Sequence, residues 1–188
     1  MRHSDADLLN RIKKIKGYKY TPDRYFFIFV RSLKDEPNKF DDKVYLFYGN
    51  KFIDLSMCTT NSGVYGLLNF MKWNRKGTTV LEFDRVYYNG WKKGKHRGRV
   101  DAWVQNKPIY VYRDNDKDYK SEEQGEKEYG YFGINIHTIS YNLWIDKILN
   151  FIGKWSVGCL VINSTVKFRN WFKLINQEKI DVFLLKEF

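Results

Sequence analysis

A chain of 188 residues with 43% hydrophobic side chains can build one ordinary domain around its own core. An aromatic content of 18% with only three prolines excludes disorder, two cysteines exclude a disulfide scaffold, and no apolar run reaches the ~18 residues of a spanning helix. The formal net charge of +11 implies attraction to a polyanion, whether nucleic acid, an anionic membrane or an anionic wall polymer.

The first seven residues, Met1-Arg2-His3-Ser4-Asp5-Ala6-Asp7, hold no apolar leader core, which predicts synthesis in the cytoplasm. Ser4 and Asp7 resemble a capping box, and Leu8, Leu9, Ile12 and Ile15 follow at helical spacing until Gly17. Residues 1–20 therefore read as an amphipathic helix ahead of a single domain over 21–188. Arg24 to Arg31, apolar and aromatic between its two arginines, predicts a buried strand. Lys43 to Phe47 and Lys51 to Leu55 around Tyr48-Gly49-Asn50 predict a hairpin. Further strands are expected over Thr78–Phe83, Arg99–Val104 and Pro108–Tyr112. Arg113 to Tyr129 is polar and reads as an exposed loop, with Arg113 and Asp114 as a surface ion pair. Its Asp114, Asp116 and Asp118 lack the glycine and glutamate spacing of a calcium loop, so no metal is expected there. Tyr131 to His137 and Cys159 to Ile162 predict strands, with a loop or short helix over Ile139–Phe151 between them. Ser164 caps a helix bearing Phe168, Trp171, Phe172 and Ile175 on one face, and Ile180 to Leu185 is a closing strand. The expected class is mainly β, a closed or sandwich-like sheet with a helix near each end of the chain.

The chemistry-bearing residues are sparse. Gly133-Ile134-Asn135-Ile136-His137 and Trp155-Ser156-Val157-Gly158-Cys159 hold one of three histidines and one of two cysteines. A thiol attacks carbonyls as the thiolate, and a nearby histidine serves first as ion-pair partner and then as proton donor. Gly158 permits a close backbone approach, and the successive amides of Gly158 and Cys159 suit an oxyanion hole. The competing reading makes Cys159 a small buried hydrophobe and His137 a satisfied strand-end residue. The scattered histidines and the lack of a Cys-x-x-Cys pair argue against zinc, and no cofactor is expected.

His137, the 18 residues that follow it, and then Ser156-Val157-Gly158-Cys159 resemble the signature of the L,D-transpeptidase (YkuD-type) catalytic domain family. Thr59-Thr60-Asn61-Ser62-Gly63 is similar to that family's Thr-x-Pro-Gly turn. The resemblance implies a β-sandwich-like domain with the cysteine at its edge. It implies action on peptidoglycan stem peptides through a thioester, with Cys159 as nucleophile and His137 as base and later acid. The Gly158 and Cys159 amides would bind the oxyanion and Ser156 would support the turn. It also implies that the second imidazole nitrogen meets a backbone carbonyl just after His137. Thr60, Gly63, Trp91, His96, Tyr131 and Trp155 are the expected substrate contacts. Val157 stands where the family often has histidine, and Val161 where it usually has arginine or asparagine. The missing leader and the basic charge fit a bacteriophage lysis or virion protein acting at the cell wall.

A second cluster, Arg85 to Arg99, carries six lysines or arginines and no acid, interleaved with Tyr87, Tyr88 and Trp91. Cations for phosphates and rings for bases would suit single-stranded nucleic acid. A wall glycan fits as well, because sugars also stack on aromatic faces, and a solvated basic loop is the plainer reading. The rival to the enzyme is accordingly a basic binding or virion structural protein with an inactive transpeptidase-like fold.

Overall fold

The computed structural model describes residues 2–20 and 22–188. The chain is mainly β, with eleven strands in two sheets among the described residues. Helix α1 (Asp5–Lys13) is followed by β1 (Tyr25–Arg31), β2 (Asp42–Tyr48), β3 (Lys51–Thr59), the short helix α2 (Val64–Asn69), β4 (Thr78–Leu81), β5 (Arg85–His96) and β6 (Val100–Gln105). Then come β7 (Ile109–Asp114), β8 (Glu128–Gly130), β9 (Ile136–Thr138), β10 (Leu160–Ile162), helix α3 (Thr165–Leu174) and β11 (Lys179–Lys186). Eight strands close a barrel in the order β1-β11-β5-β6-β9-β10-β3-β2, and β4-β7-β8 form a separate sheet.

The period-two alternation of β1 explains its unbroken apolar run. Phe27 and Phe29 point into the barrel, while Phe26, Ile28 and Val30 belong to a second cluster on its outer face. β11 pairs parallel with β1 and divides in the same way, with Ile180, Val182 and Leu184 inside and Phe183 and Leu185 outside. Helix α1 covers that outer cluster with Leu8 and Ile12, and the turn after it adds Ile15. Its cap is the expected one, the Asp7 amide donating to Ser4 Oγ at 3.1 Å. Helix α3, capped by Ser164, sends Phe168 and Trp171 into the interior, where Phe168 meets the Trp103 ring edge-on at 5.3 Å. Burying such aromatics is worth a few kcal/mol each.

Several expectations need correction. Arg85 to Arg99 is mostly not a loop. β5 runs through it to His96 and pairs with both β11 and β6. A bulge opposite Ile180/Val182, with Asn89 at φ 50°, loops two extra residues out of β5, an even number that leaves Tyr87 and Trp91 on the same, interior face. The strand expected over Tyr131–His137 shrinks to β9. Gly133 at φ 70° breaks the extension, and Gln105 Oε1 accepts the amides of Phe132 and Ile134 where a ladder would have run. The stretch Arg113–Tyr129 starts inside β7 and ends inside β8. Arg113 pairs with Glu128 at 2.8 Å, not with Asp114, which is buried and accepts the Glu122 amide. Ile139 to Phe151 takes the first of its two expected forms, a loop, whereas α2 is an element that apolar periodicity did not reveal.

Candidate active site

The parallel pairing of β9 and β10 sets Leu160 beside Ile136 and Val161 beside His137. Cys159 therefore enters that ladder next to Asn135, whose amide donates to its Sγ at 3.5 Å, while the thiol faces the Gly133 carbonyl at 3.8 Å. Ligand atoms of Cys159, His137 and His96 all lie within 4.8 Å of one another. Two residues distant in the chain are thus brought together by strand pairing, and a third joins them from the end of β5.

The hydrogen bonds fix the proton positions. His137 Nδ1 lies 2.8 Å from the Thr138 carbonyl, which only accepts, so the neutral ring carries its proton on Nδ1. This is the backbone partner that the resemblance implied. Nε2 is left bare, buried and without a partner among the described residues. Asn135 Oδ1 accepts the Gln105 amide, which orients its Nδ2 to donate to His96 Nδ1 at 3.0 Å. His96 then keeps its proton on Nε2. Its ring stacks on that of His137, the centroids 4.1 Å apart.

His96, His137 and Cys159 have the donor types of a metal site. The hydrogen bonds oppose that use, because His96 Nδ1 is occupied by Asn135 and its Nε2 is protonated. The same three side chains are better suited to proton transfer.

Burial sets the electrostatics. It lowers His137 to about 3, helped by His96, and lowers His96 to about 4. Burial also raises the Cys159 thiol, partly opposed by the Asn135 amide and by Arg97. The resting pair is therefore neutral thiol and neutral imidazole, and the ion pair expected from sequence is not favoured. The proton must move as the sulfur attacks. Alkylation of Cys159 by iodoacetamide is expected to rise only at alkaline pH, above the range of a free thiol. A plateau of fast alkylation between pH 4 and 8 would contradict a neutral pair.

The turn that carries the cysteine is braced locally. Ser156 Oγ donates to the Cys159 carbonyl at 2.8 Å and accepts the Gly158 amide at 3.2 Å. Gly158 is thereby committed, and the two-amide oxyanion hole reduces to the Cys159 amide, which meets no acceptor among the described residues. Gly158 sits at φ 119°, and a Cβ there would lie 1.8 Å from Thr79 Oγ1 on β4. The small sheet thus comes right up to the nucleophile.

A cleft of about 650 Å³ opens over the thiol. Its lining includes the expected His96 and Tyr131 but also Trp73, Asn74, Thr79, Arg97, Arg113 and Asn135, none of which was expected to meet substrate. Asn135 lay within the quoted histidine block, and Arg97 stood before a turn glycine, so both had a signal. Trp73 and Asn74 had none, because they come from the segment after α2.

The other expected contacts fall elsewhere. Trp91 is fully buried and donates from Nε1 to the Ile134 carbonyl, so it supports the segment ahead of His137 and cannot stack on a ligand. Tyr87 is interior too, and Tyr88 is tied to Lys19, which removes the ring array of the nucleic-acid reading. Thr60 is buried in a network with Arg31 and Asp42, its amide 2.6 Å and its Oγ1 2.7 Å from Asp42 Oδ2. Gly63 donates to the Ser156 carbonyl at 3.0 Å, and a Cβ there would lie 2.4 Å from the Gly153 oxygen. Thr60 and Gly63 hold the scaffold rather than a substrate. Trp155 is half-buried against Tyr141, outside the cleft lining. Both cysteines are free, and Cys58 is sealed in the core.

No protein-family model matches the chain, and no curated protein matches it. Among the described residues, no helix is long and apolar enough to cross a membrane.

Proposed function

We propose that this protein is a cysteine-dependent acyl-transfer enzyme of the L,D-transpeptidase type, acting on peptidoglycan stem peptides at the cell wall. The reading is carried by two observations at His137: a ring nitrogen lies within 4.8 Å of the Cys159 thiol, and Nε2 is left bare and without a partner among the described residues, the tautomer being set by the Thr138 carbonyl. The substrate class comes from the resemblance around His137 and Ser156–Cys159.

The chemistry uses both residues in turn. As Cys159 Sγ bonds to the amide carbonyl carbon, the thiol proton passes to His137 Nε2. The developing oxyanion takes the free Cys159 amide. Collapse breaks the C–N bond, the leaving amine collects the proton from Nε2, and a thioester remains on Cys159. Water or an acceptor amine then attacks, yields its proton to Nε2, and restores the thiol as the acyl group departs. His96, stacked on His137, restrains the position of its ring.

The experiment is incubation with purified peptidoglycan and analysis of muropeptides by mass spectrometry, with Cys159→Ala in parallel. The expected result is new muropeptides from the wild type only. Products carrying one added water mark hydrolysis, and new cross-links mark transfer. Products that persist in Cys159→Ala, or none from either protein, would remove the reading.

A further inference from the structure

Resting on the acyl-transfer reading, we propose that Arg97 is the carboxylate anchor of the cleft, selecting peptides that carry a free carboxylate close to the scissile amide. Only Arg97 and Arg113 bring a full charge to the cleft lining. Arg113 is spent on Glu128, at 2.8 Å. Arg97 makes one weak contact, 3.4 Å to the Tyr141 hydroxyl, and has no carboxylate in ion-pair range among the described residues. It is thus the cleft's one uncompensated cation, and a guanidinium offers a planar fork matched to a carboxylate.

The backbone gives an independent reason. Arg97, Gly98 and Arg99 join β5 to β6, the first two with φ of 52° and 69°, and the Arg99 amide donates to the His96 carbonyl at 3.0 Å. Two central residues at positive φ follow the type I′ pattern, which favours Asn, Asp or Gly at both places. Gly98 obeys the preference and Arg97 does not. A long side chain in the left-handed region costs stability and is held there by a rigid hairpin. Strained backbone of this kind clusters at functional contacts, and Arg97 is the residue of the cleft lining, glycines apart, that carries it.

The ligand is a carboxylate rather than a larger anion because one unpaired cation faces it, among Asn74, Asn135 and Tyr131. The charge of Arg97 is also felt at Cys159, His137 and His96. A carboxylate seated on it would therefore lie within electrical reach of the reacting groups.

The test uses Cys159→Ala protein, which binds without consuming ligand, and three stem tetrapeptides. One is unmodified, one has its C-terminal carboxylate amidated, and one has its side-branch carboxylate amidated. Binding is read by calorimetry in the Cys159→Ala background alone and combined with Arg97→Asn or Arg97→Lys. One amidation is expected to weaken binding by on the order of tenfold, which identifies the carboxylate held. Arg97→Asn is expected to erase that difference, and Arg97→Lys to keep part of it. Arg97→Asn should also unfold at the same or a higher temperature than its parent, since asparagine suits the turn. A preference that survives in Arg97→Asn, equal binding of all three peptides, no binding of any, or a marked loss of thermal stability in Arg97→Asn would each overturn the anchor. Failure of the enzymatic reading shows separately, as wild-type protein that leaves peptidoglycan unchanged.

Discussion

Exchange of His137 for glutamine is expected to lower turnover of wall peptides by about 10³-fold, because removing a positioned general acid–base typically costs 10²–10⁴. The loss should fall on kcat more than on KM, since His137 meets the proton in flight and lies beneath the cleft rather than in its lining. The same variant should change the response of stability to acid, with a sign that can be worked out. His137 titrates near 6.5 when unfolded and at about 3 when folded. Between those values the unfolded chain binds a proton that the folded chain refuses, so the wild type loses stability as pH falls through the window. The slope is roughly 1 kcal/mol per pH unit for this one group. Asp42 and Asp114, raised by burial to about 6, act the other way: folded, they hold protons between 6 and their ordinary 3.8, and so gain stability as pH falls. His96, lowered to about 4, acts in the same direction as His137, so the wild-type profile mixes opposing contributions and the informative quantity is the difference between wild type and His137→Gln. Urea unfolding at pH 7 and pH 5 measures it. The variant should lose less stability than the wild type on going to pH 5, and an equal loss in both would show that His137 takes up a proton freely in the folded protein.

Gly158→Ala is expected to destabilise the protein by about 3 kcal/mol, near 10 °C in Tm for a domain of this size. Two costs combine. A φ of 119° is closed to alanine, and the new methyl would lie 1.8 Å from Thr79 Oγ1 and 2.7 Å from the Thr79 carbonyl. Relief requires the cysteine turn to move away from β4, carrying Sγ out of its place beside His137. Activity should therefore vanish even where the fold survives. The double variant Gly158→Ala/Thr79→Ala makes the argument sharper. It removes the nearest clash but leaves the backbone angle and the carbonyl, so it should not restore activity. Thermal melts and the muropeptide assay report both effects, and an active Gly158→Ala would mean that the approach of β4 to the turn is not needed.

How far the sequence could be read depended on what kind of signal each part carried. β1 and β11 were legible as apolar runs because both of their faces are covered, one by the barrel interior and one by α1. The hairpin of β2 and β3 announced itself through Gly49, which takes φ 55°. The pairing of His137 with Cys159 was legible as two unusual residues in suitable surroundings, though only strand order could bring them together. β5 was misread for a physical reason. Its basic residues do not alternate with the inward Tyr87 and Trp91, since Arg85, Lys93 and Lys95 share their parity and only Lys92 opposes it, and such a pattern cannot be separated from a basic loop by composition. Thr60 and Gly63 were credited with substrate contact through resemblance, whereas the hydrogen bonds of Thr60 to Asp42 and the contact of Gly63 with Gly153 make them parts of the frame. Trp73 and Asn74 reach the cleft by tertiary placement, for which no local pattern exists.

The position of β11 bears on how the chain is made. It fills the slot between β1 and β5, and its register joins Phe26 to Asp181. During synthesis the barrel wall must wait, with one strand missing, until residues 179–186 have left the ribosome. Until then β1 and β5 present unpaired edges, and the interior beneath them is open to water and to other nascent chains. Closure is a long-range step, so folding should be slow. Expression of this protein should accordingly gain from low temperature and chaperone capacity far more than from any change at the surface.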